Sequence, residues 1–256
     1  QADILTLASL GCHPLSVVSG ISVQDTIGVD SLMPLGSDWI NDQARSILED
    51  IEVAAFKCGL LGSAENIAIV AEIVADYPDI PLILDPILAS GRGDDLVDAT
   101  MMRAMAELLF PHALVITPNS YEARRLVIRD EEEFMDLTLD ECASRLKKLG
   151  CKNILITGTH EQSDSVINTL YASTGQKIPY YWERLPGSYH GSGCTLASAI
   201  AGCIARGLDF EEAIDEAQNF TWQTLKNAFK PGMGQFIPDR FFWINEEEDD
   251  GKFTHH

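Results

Sequence analysis

Two hydrophobic periods alternate along this chain, and that alternation limits the fold more than any other feature of the sequence. Short uninterrupted apolar runs, each followed closely by Gly, Pro or Asp, are typical of strands that are buried on both faces of a parallel sheet. Such runs occur at residues 53–56, 82–84, 113–116 and 154–156. Segments with helical periodicity lie between them. We therefore predict a doubly wound, three-layer α/β fold with a mostly parallel central sheet.

The helical segments carry capping signals at their ends. Their starts are marked by Ser37 or Asp38, by Ser63, and by Thr138 with Glu141 at the capping-box spacing. A fourth helix is predicted over 193–206 and ends before Gly207, since glycine commonly follows the last helical residue.

The pattern changes at 166–183, where two shorter stretches joined by 173–175 predict a small peripheral hairpin at one end of the sheet. Neither a repeat nor a shift of composition divides residues 1–256, so we predict a single domain. An acidic tail at about 245–256 is expected to be solvated.

Charge and cysteine usage exclude several function classes. The formal net charge is -21, which repels nucleic acid and anionic membranes, so we expect neither as a partner. No apolar run reaches the roughly 20 residues of a membrane span, and no secretory signal is visible. The six cysteines form no C-x-x-C pair, which argues against a structural metal and favours free thiols in a reducing cytoplasm. Any phosphate must then be bound locally by backbone amides, a few cations and a metal ion.

Polar residues follow the predicted strands where ligands bind in open α/β sheets, at the carboxyl ends. They are Lys57 to Gly59, Asp85, Thr117 to Asn119, and Thr157 with Gly158. Each alone could be an ordinary turn at the end of a strand. Together they predict a site along one rim of the sheet.

The segment 190–195, HGSGCT, is the strongest indication of chemistry. A glycine-rich turn that opens directly into a helix presents unpaired backbone N–H groups, and the helix dipole adds positive potential. Gly191, Ser192, Gly193 and Cys194 are therefore candidates for a phosphate cradle, the alternative being an ordinary glycine-rich helix cap. The dipole is expected to lower the pKa of the Cys194 thiol, which could then serve as a base or polar contact for a substrate hydroxyl. The alternative is a small residue chosen for packing.

Four other polar residues also have two alternative interpretations. Asn119 and Glu122 share one face of a first helical turn and could hold hydrated Mg²⁺, or could simply cap the helix. Asp85 is either a second carboxylate for the metal or a turn residue before a proline. Gln24 could form hydrogen bonds with a heterocycle through its side-chain amide, or could lie in an exposed loop.

The chain resembles the hydroxymethylpyrimidine/phosphomethylpyrimidine kinases, a branch of the ribokinase-like superfamily, over nearly its whole length. The resemblance is carried by Gln1-Ala2-Asp3 (QAD), Gln24-Asp25-Thr26 (Q-N-T), Lys57-Cys58-Gly59-Leu60-Leu61 (K-x-G-M-L), Leu84-Asp85-Pro86 (L-D-P), Thr117-Pro118-Asn119 with Glu122-Ala123 (T-P-N-x-x-E-A) and residues 190–196 (H-G-[TS]-G-C-T-L). The last motif is the most specific, because most ribokinase-like sugar kinases have Asp where this chain has Cys194.

The resemblance implies ATP-dependent phosphorylation of 4-amino-5-hydroxymethyl-2-methylpyrimidine and then of its monophosphate, for thiamin biosynthesis, with Mg²⁺. It also implies site residues: Gly191 to Cys194 as the anion hole, Glu122 with Asn119 nearby around Mg²⁺ and phosphate, and Gln24, Asp3 and Leu60 around the pyrimidine. From their places on the rim we further predict Asp85 as a second metal carboxylate and Asn119, Thr157 and Gly158 as nucleotide-binding residues. The family's habit favours a homodimer, although no periodic apolar stripe in the sequence demonstrates one.

The sequence also departs from the family pattern. Asp25 and Leu60 replace the usual Asn and Met, and Thr157 stands where the family's V-K-G-G-H motif has lysine. The family's first strand and glycine-rich segment are expected to precede Gln1. A pyridoxal kinase of the same fold and a catalytically weak pyrimidine-binding homologue therefore remain alternatives.

Overall fold

The computed structural model describes residues 1–89, 93–128 and 137–244. The acidic tail predicted at about 245–256 lies outside the described residues. Within them, no helix has both the length and the apolar character needed to span a membrane.

The described helices and strands alternate as the sequence indicated. The helices are α1 (Ala2–Ser9), α2 (Ser37–Leu48), α3 (Ala64–Asp76), α4 (Ala99–Ala104, continuing as a π-helical turn over Met105–Leu109), α5 (Ser120–Val127), α6 (Leu139–Lys148), α7 (Ser192–Ala205) and α8 (Phe210–Lys226). The strands are β1 (Gly20–Gln24), β2 (Val29–Pro34), β3 (Phe56–Cys58), β4 (Leu82–Leu84), β5 (Ala113–Ile116), β6 (Ile154–Ile156), β7 (Ser165–Tyr171) and β8 (Lys177–Glu183).

The central sheet has the strand order β3-β4-β5-β6-β7-β8. Its first four strands are parallel, and β7 and β8 form an antiparallel hairpin at one edge, as predicted for 166–183. Successive side chains of a strand point to opposite faces, so Leu82 and Leu84 join one apolar cluster and Ile83 the other. Helices α2 to α6 cover the first face, and α1, α7 and α8 cover the second. The three-layer α/β/α prediction is therefore confirmed.

The capping signals located the helices well. Ser63 accepts a hydrogen bond from the Asn66 N–H at the start of α3, and Thr138 with Glu141 forms the predicted capping box of α6. Helix α7 begins and ends within one residue of its predicted bounds.

The strand predicted at 53–56 was placed too early, because β3 begins at Phe56 and includes Lys57 and Cys58. A charged residue inside a short strand interrupts the apolar run. Its burial becomes acceptable only through a partner from α1, described below.

Strands β1 and β2 form a separate antiparallel ribbon that the sequence analysis did not predict. The connecting turn is held by Asp25, whose Oδ1 accepts from the backbone N–H groups of Ile27 and Gly28 at 2.7 and 3.0 Å. The tip is fastened to the 232–235 loop, since the Gly234 N–H donates to Thr26 Oγ1 at 3.0 Å and the Gln235 N–H donates to the Thr26 carbonyl at 2.8 Å. The ribbon thus borders the carboxyl end of the sheet.

Candidate active site

The entrance of α7 is built by a left-handed glycine. Gly191 is the residue before the helix and has a φ of 81°, a conformation that costs glycine little. The Thr195 N–H is the first to reach a helical acceptor, the Gly191 carbonyl at 2.9 Å. The N–H groups of Ser192, Gly193 and Cys194 precede it, and within the described chain no backbone acceptor outside the helix is found for them. This turn therefore offers a row of unpaired amide donors.

The row of amides faces the carboxyl edge of the sheet and is not covered by side chains. A Cβ placed on Gly193 would have only one non-neighbouring atom within 4 Å, Asp85 Oδ2 at 3.9 Å. The entrance is thus open, and it faces the rim that carries Asp85, as the anion-hole interpretation requires.

Asp85 itself is only 4% exposed. Its Oδ2 has no hydrogen-bond partner among the described residues. Burial raises the pKa of this carboxyl, and the neighbouring Lys57 ammonium and Cys194 thiol oppose the rise. Asp85 is therefore a buried acid aimed into the site rather than a simple turn residue.

The expectation of a reactive Cys194 thiolate is wrong. Burial raises the pKa of this thiol to about 12, a shift that the nearby Lys57 ammonium reduces and the Asp85 carboxylate reinforces. Cys194 is therefore a thiol at neutral pH, which favours its interpretation as a polar contact over that of a base.

Lys57 brings positive charge into the same space. Its Nζ lies 3.0 Å from both carboxylate oxygens of Asp3, and Ser198 donates to Asp3 Oδ1 at 2.8 Å. Burial alone would lower the pKa of Lys57, but the acidic groups around it, Cys194 and Asp3 foremost, raise it above its ordinary value. The sequence analysis predicted Asp3 as a pocket residue but assigned no role to Lys57.

Asn119 and Glu122 form a reciprocal capping box at the start of α5. Asn119 Oδ1 accepts from the Glu122 N–H and Glu122 Oε2 accepts from the Asn119 N–H, both at 2.9 Å. Glu122 Oε1 also accepts from the Leu88 N–H at 3.3 Å. Burial and the charge of Asp85 raise the pKa of Glu122 to about 8, despite these two backbone donors. The capping alternative thus holds, while Glu122 remains a perturbed acid beside Asp85.

The remaining predicted residues differ in their access to the cleft. Gln24 is exposed on the ribbon, Leu60 is half-buried, and Thr157 lines the cleft and forms a backbone bridge with Asn119. Gly158 does not line it: its N–H donates to Asn168 Oδ1 at 3.1 Å, and a Cβ there would meet the Ile167 carbonyl at 2.2 Å. Gly158 therefore shapes the loop after β6 and presents no free amide to a nucleotide.

All the other predicted site residues line one continuous cleft: Asp3, Gln24, Leu60, Asp85, Asn119, Glu122, Thr157 and Gly191 to Cys194. In the described ranges no group of three or more His, Cys, Asp or Glu side chains could hold a metal ion. Arg240, which also lines the cleft, was missed, and Lys57 was predicted to lie on the rim but was assigned no role. A charge inside a strand could have indicated Lys57, whereas nothing local distinguishes Arg240.

The three-layer sheet, with the amide-lined helix entrance at its carboxyl edge, is a ribokinase-like fold. The structure superimposes on an ADP complex of Bacillus subtilis pyridoxal kinase with a TM-score of 0.82, covering 95% of this chain and 92% of that one at 23% identity, a likeness that shows the fold.

A family model described as phosphomethylpyrimidine kinase matches residues 1–239. A hydroxymethylpyrimidine/phosphomethylpyrimidine kinase of Mycobacterium tuberculosis is 34% identical over 238 residues, which are 91% of this chain and 85% of that protein. The thiamine biosynthesis bifunctional protein ThiED of Geobacter sulfurreducens is 33% identical over 237 residues, and the chain spans about half of its length (47%). The chain belongs to the phosphomethylpyrimidine kinase family.

Proposed function

We propose that this protein transfers the γ-phosphoryl group of ATP to 4-amino-5-hydroxymethyl-2-methylpyrimidine and then to its monophosphate, in thiamin biosynthesis. The observation that carries the proposal is the open α7 entrance, where a Cβ placed on Gly193 would have Asp85 Oδ2 as its one near neighbour, at 3.9 Å. Phosphoryl transfer depends mainly on positioning and electrostatic stabilisation, and preorganised amides supply both. The names of the curated relatives favour this substrate pair.

In the proposed reaction the pyrimidine hydroxymethyl oxygen attacks the γ-phosphorus while the bond to the β-phosphate oxygen breaks and ADP leaves. The amides of Ser192, Gly193 and Cys194 stabilise the negative charge on the equatorial phosphoryl oxygens. The Cys194 thiol, with its pKa raised to about 12, acts as a hydrogen-bonding group toward the alcohol or Asp85. Asp85 then has a buried, unpartnered oxygen that can accept the alcohol proton as the new bond forms.

Magnesium is part of the proposal, and the residues fit it. Asp85 and Glu122 are two buried acids whose charges oppose each other, and a divalent cation relieves such repulsion. Mg²⁺ keeps several waters and uses few carboxylates plus substrate phosphates, so a cage of three or more side chains is not required. When bound, the ion neutralises charge on the transferring phosphates.

Asp85 thus has two proposed roles, as the proton acceptor and as a contact of the metal ion. The kinetics of Asp85→Asn show which of the two roles dominates. If the carboxylate mainly accepts the proton, kcat falls while the Mg²⁺ concentration for half-maximal rate stays constant. If it mainly serves the metal, that concentration rises and excess Mg²⁺ restores part of the rate.

The pyrimidine is proposed to lie under the β1–β2 ribbon, between Gln24, Asp3 and Leu60. Gln24 can donate to and accept from an aminopyrimidine in one plane. Asp3 also holds Lys57 in place through two hydrogen bonds, so it connects the pocket to the charges around Cys194. Asn119 and Thr157 adjoin the cleft at the start of α5, where the nucleotide phosphates are proposed to bind.

A homodimer in the cytoplasm completes the proposal. The ribbon exposes apolar side chains on its outer surface, including Ile21, Val23 and Met33, each more than half exposed. A second copy would cover this surface, and size-exclusion chromatography with light scattering would detect it.

All six cysteines are free thiols, which suits a reducing compartment.

A coupled ADP-release assay tests the proposal with the pyrimidine alcohol, its monophosphate and pyridoxal as separate acceptors, with ATP and with or without Mg²⁺. We expect Mg²⁺-dependent turnover of both pyrimidines and a lower kcat/KM for pyridoxal. Pyridoxal is the second candidate acceptor because a pyridoxal kinase shares this fold, and a higher kcat/KM for it would replace the proposed substrate. Calorimetric binding of the pyrimidine without any ADP formation would instead indicate a binding protein.

A further inference from the structure

A buried arginine lies directly behind the amide row at the start of α7. Arg240 is only 5% exposed. Its Nε and Nη2 both donate to Thr195 Oγ1, at 3.1 and 2.8 Å, and its Nη1 donates to the Pro238 carbonyl at 3.2 Å. Nη2 also lies 3.3 Å from the position that a Cβ on Gly191 would take. The guanidinium therefore packs against the phosphate cradle from the protein side.

The hydroxyl of Thr195 transmits that contact to the backbone. It is fully buried and donates its single proton to the Gly191 carbonyl at 2.7 Å, while its two lone pairs accept from Arg240. The Thr195 N–H donates to the same carbonyl at 2.9 Å. The Gly191 carbonyl is thus held by two hydrogen bonds from one residue, and Arg240 sets the orientation of the hydroxyl that makes one of them.

Fixing the direction of the Gly191 carbonyl also fixes the direction of a backbone N–H group. The Gly191 carbonyl and the Ser192 N–H belong to one planar peptide group, so fixing the oxygen fixes the direction of the N–H on the opposite side. The Ser192 N–H is the first unpaired donor of the helix. Because Gly191 has no side chain and a φ of 81°, its peptide has little other restraint.

Arg240 also places a positive charge beside the amide row at the start of α7. The protein carries a net charge of -21, so a cation beside the amide row offsets a field that repels phosphate groups. Among the described residues, the Arg240 guanidinium donates its hydrogen bonds to Thr195 and Pro238, and the charges of Asp3 and Asp239 act on it from nearby. Burial lowers the pKa of Arg240, but an arginine remains protonated in proteins.

We propose that Arg240 is a positioning residue of the transfer reaction: through Thr195 it orients the Gly191–Ser192 peptide toward the phosphoryl group, and its charge strengthens the potential of the cradle. The inference rests on the proposed kinase function. It concerns the transition state, in which charge develops on the phosphoryl oxygens, more than the binding of either substrate.

The test compares Arg240→Met, Arg240→Lys, Thr195→Val and Thr195→Ser with wild type. We expect Arg240→Met and Thr195→Val each to lower kcat about 100-fold, because a small misplacement of a preorganised group has an effect of that size, with KM for both substrates nearly constant. Thr195→Ser keeps the hydroxyl and should keep most of kcat, and Arg240→Lys keeps charge with fewer donors and should recover part of it. The double variant should lose no more than the worse single variant, since both residues act on one peptide.

Thr224→Val is the matched control. Thr224 is also fully buried and donates its hydroxyl proton to a backbone carbonyl, that of Thr221 at 2.7 Å, but it does not line the cleft. We expect a comparable loss of thermal stability with kcat within about threefold of wild type. If Arg240→Met behaves like this control, if it raises KM with kcat intact, or if the losses of the two single variants multiply, the inference is wrong.

A binding measurement separates this inference from the proposed function. Calorimetry of ADP with orthovanadate, a mimic of the transferring phosphoryl group, should show weaker binding to Arg240→Met than to Thr224→Val, in proportion to the fall in kcat. If wild type turns over none of the alcohols yet this difference persists, the proposed function fails and the inference stands. If wild type is active but both variants bind the mimic equally, the inference alone fails.

Discussion

Adding one methyl group to Gly193 should separate catalysis from stability. The Cβ of Gly193→Ala would enter the open space in front of the amide row, with Asp85 Oδ2 as its one near neighbour at 3.9 Å. No atom of the protein is displaced, and Gly193 does not have a positive φ, so the backbone accepts alanine without strain. The methyl group would instead occupy the space that the transferring phosphoryl group needs.

The two effects have opposite signs. Keeping the phosphoryl group away from a preorganised donor is comparable to losing that donor, which lowers kcat by about 10²–10³, or roughly 2.7–4 kcal/mol of transition-state stabilisation. Alanine is more stable than glycine by about 0.5–1 kcal/mol in the middle of a helix. Because Gly193 is the second residue of α7, this gain is an upper bound, and it corresponds to a rise in Tm of at most about 1–3 °C for a chain of this size. An inactive enzyme that melts slightly higher than wild type is therefore expected.

The assay combines thermal unfolding with the coupled release of ADP from the pyrimidine alcohol. Gly202→Ala is the control, because it adds the same methyl group on the same helix but against Leu10, whose Cδ1 would lie 3.0 Å away, and outside the cleft. We expect this control to keep kcat within about threefold, since it alters only packing. Turnover of Gly193→Ala at the wild-type rate would refute the assignment of the α7 entrance as the phosphoryl site.

Other substitutions test the surroundings of the site. Asp3→Leu should lower the free energy of unfolding in urea by about 2 kcal/mol, because the buried Lys57 ammonium loses its partner, and Lys57→Met added to it should restore part of the loss. Glu122→Gln should alter the pH dependence of stability, because folding raises the pKa of Glu122 from 4.5 to about 8. The wild-type protein therefore loses stability as the pH rises from about 4.5 to about 8, by at most about 1.4 kcal/mol per pH unit. The glutamine variant lacks this contribution. Equal slopes for both proteins would contradict that shift. Gly234→Ala should raise KM for the pyrimidine with little change in kcat, because its Cβ would lie 2.1 Å from the Thr26 carbonyl and push the ribbon tip away; an unchanged KM would show that the ribbon does not cover the substrate.

Local patterns were sufficient for most of the secondary structure. The caps at Ser63 and Thr138 were predicted because a capping side chain bonds to an amide only three residues away. The strands β4, β5 and β6 were predicted because an uninterrupted apolar run is itself the signature of burial on two faces. These signals are complete within a few residues.

Predictions failed where a residue depends on partners far along the chain. Strand β3 contains Lys57, whose burial is stabilised by Asp3, 54 residues earlier. The β1–β2 ribbon has one exposed surface and is anchored by the loop around Gly234, more than 200 residues away, so its own pattern looked like a polar loop.

The sequence by itself determined the layered α/β fold, the family and the position of the glycine-rich turn before α7, because periodicity, capping and motif spacing are properties of neighbouring residues. Only the tertiary structure decided the ionisation of Cys194 and the contact of Arg240 with Thr195. The local dipole predicted a lowered thiol pKa, yet burial raised it to about 12. Desolvation and charge interactions depend on every packed neighbour in space, and that neighbourhood is assembled only when distant segments fold together.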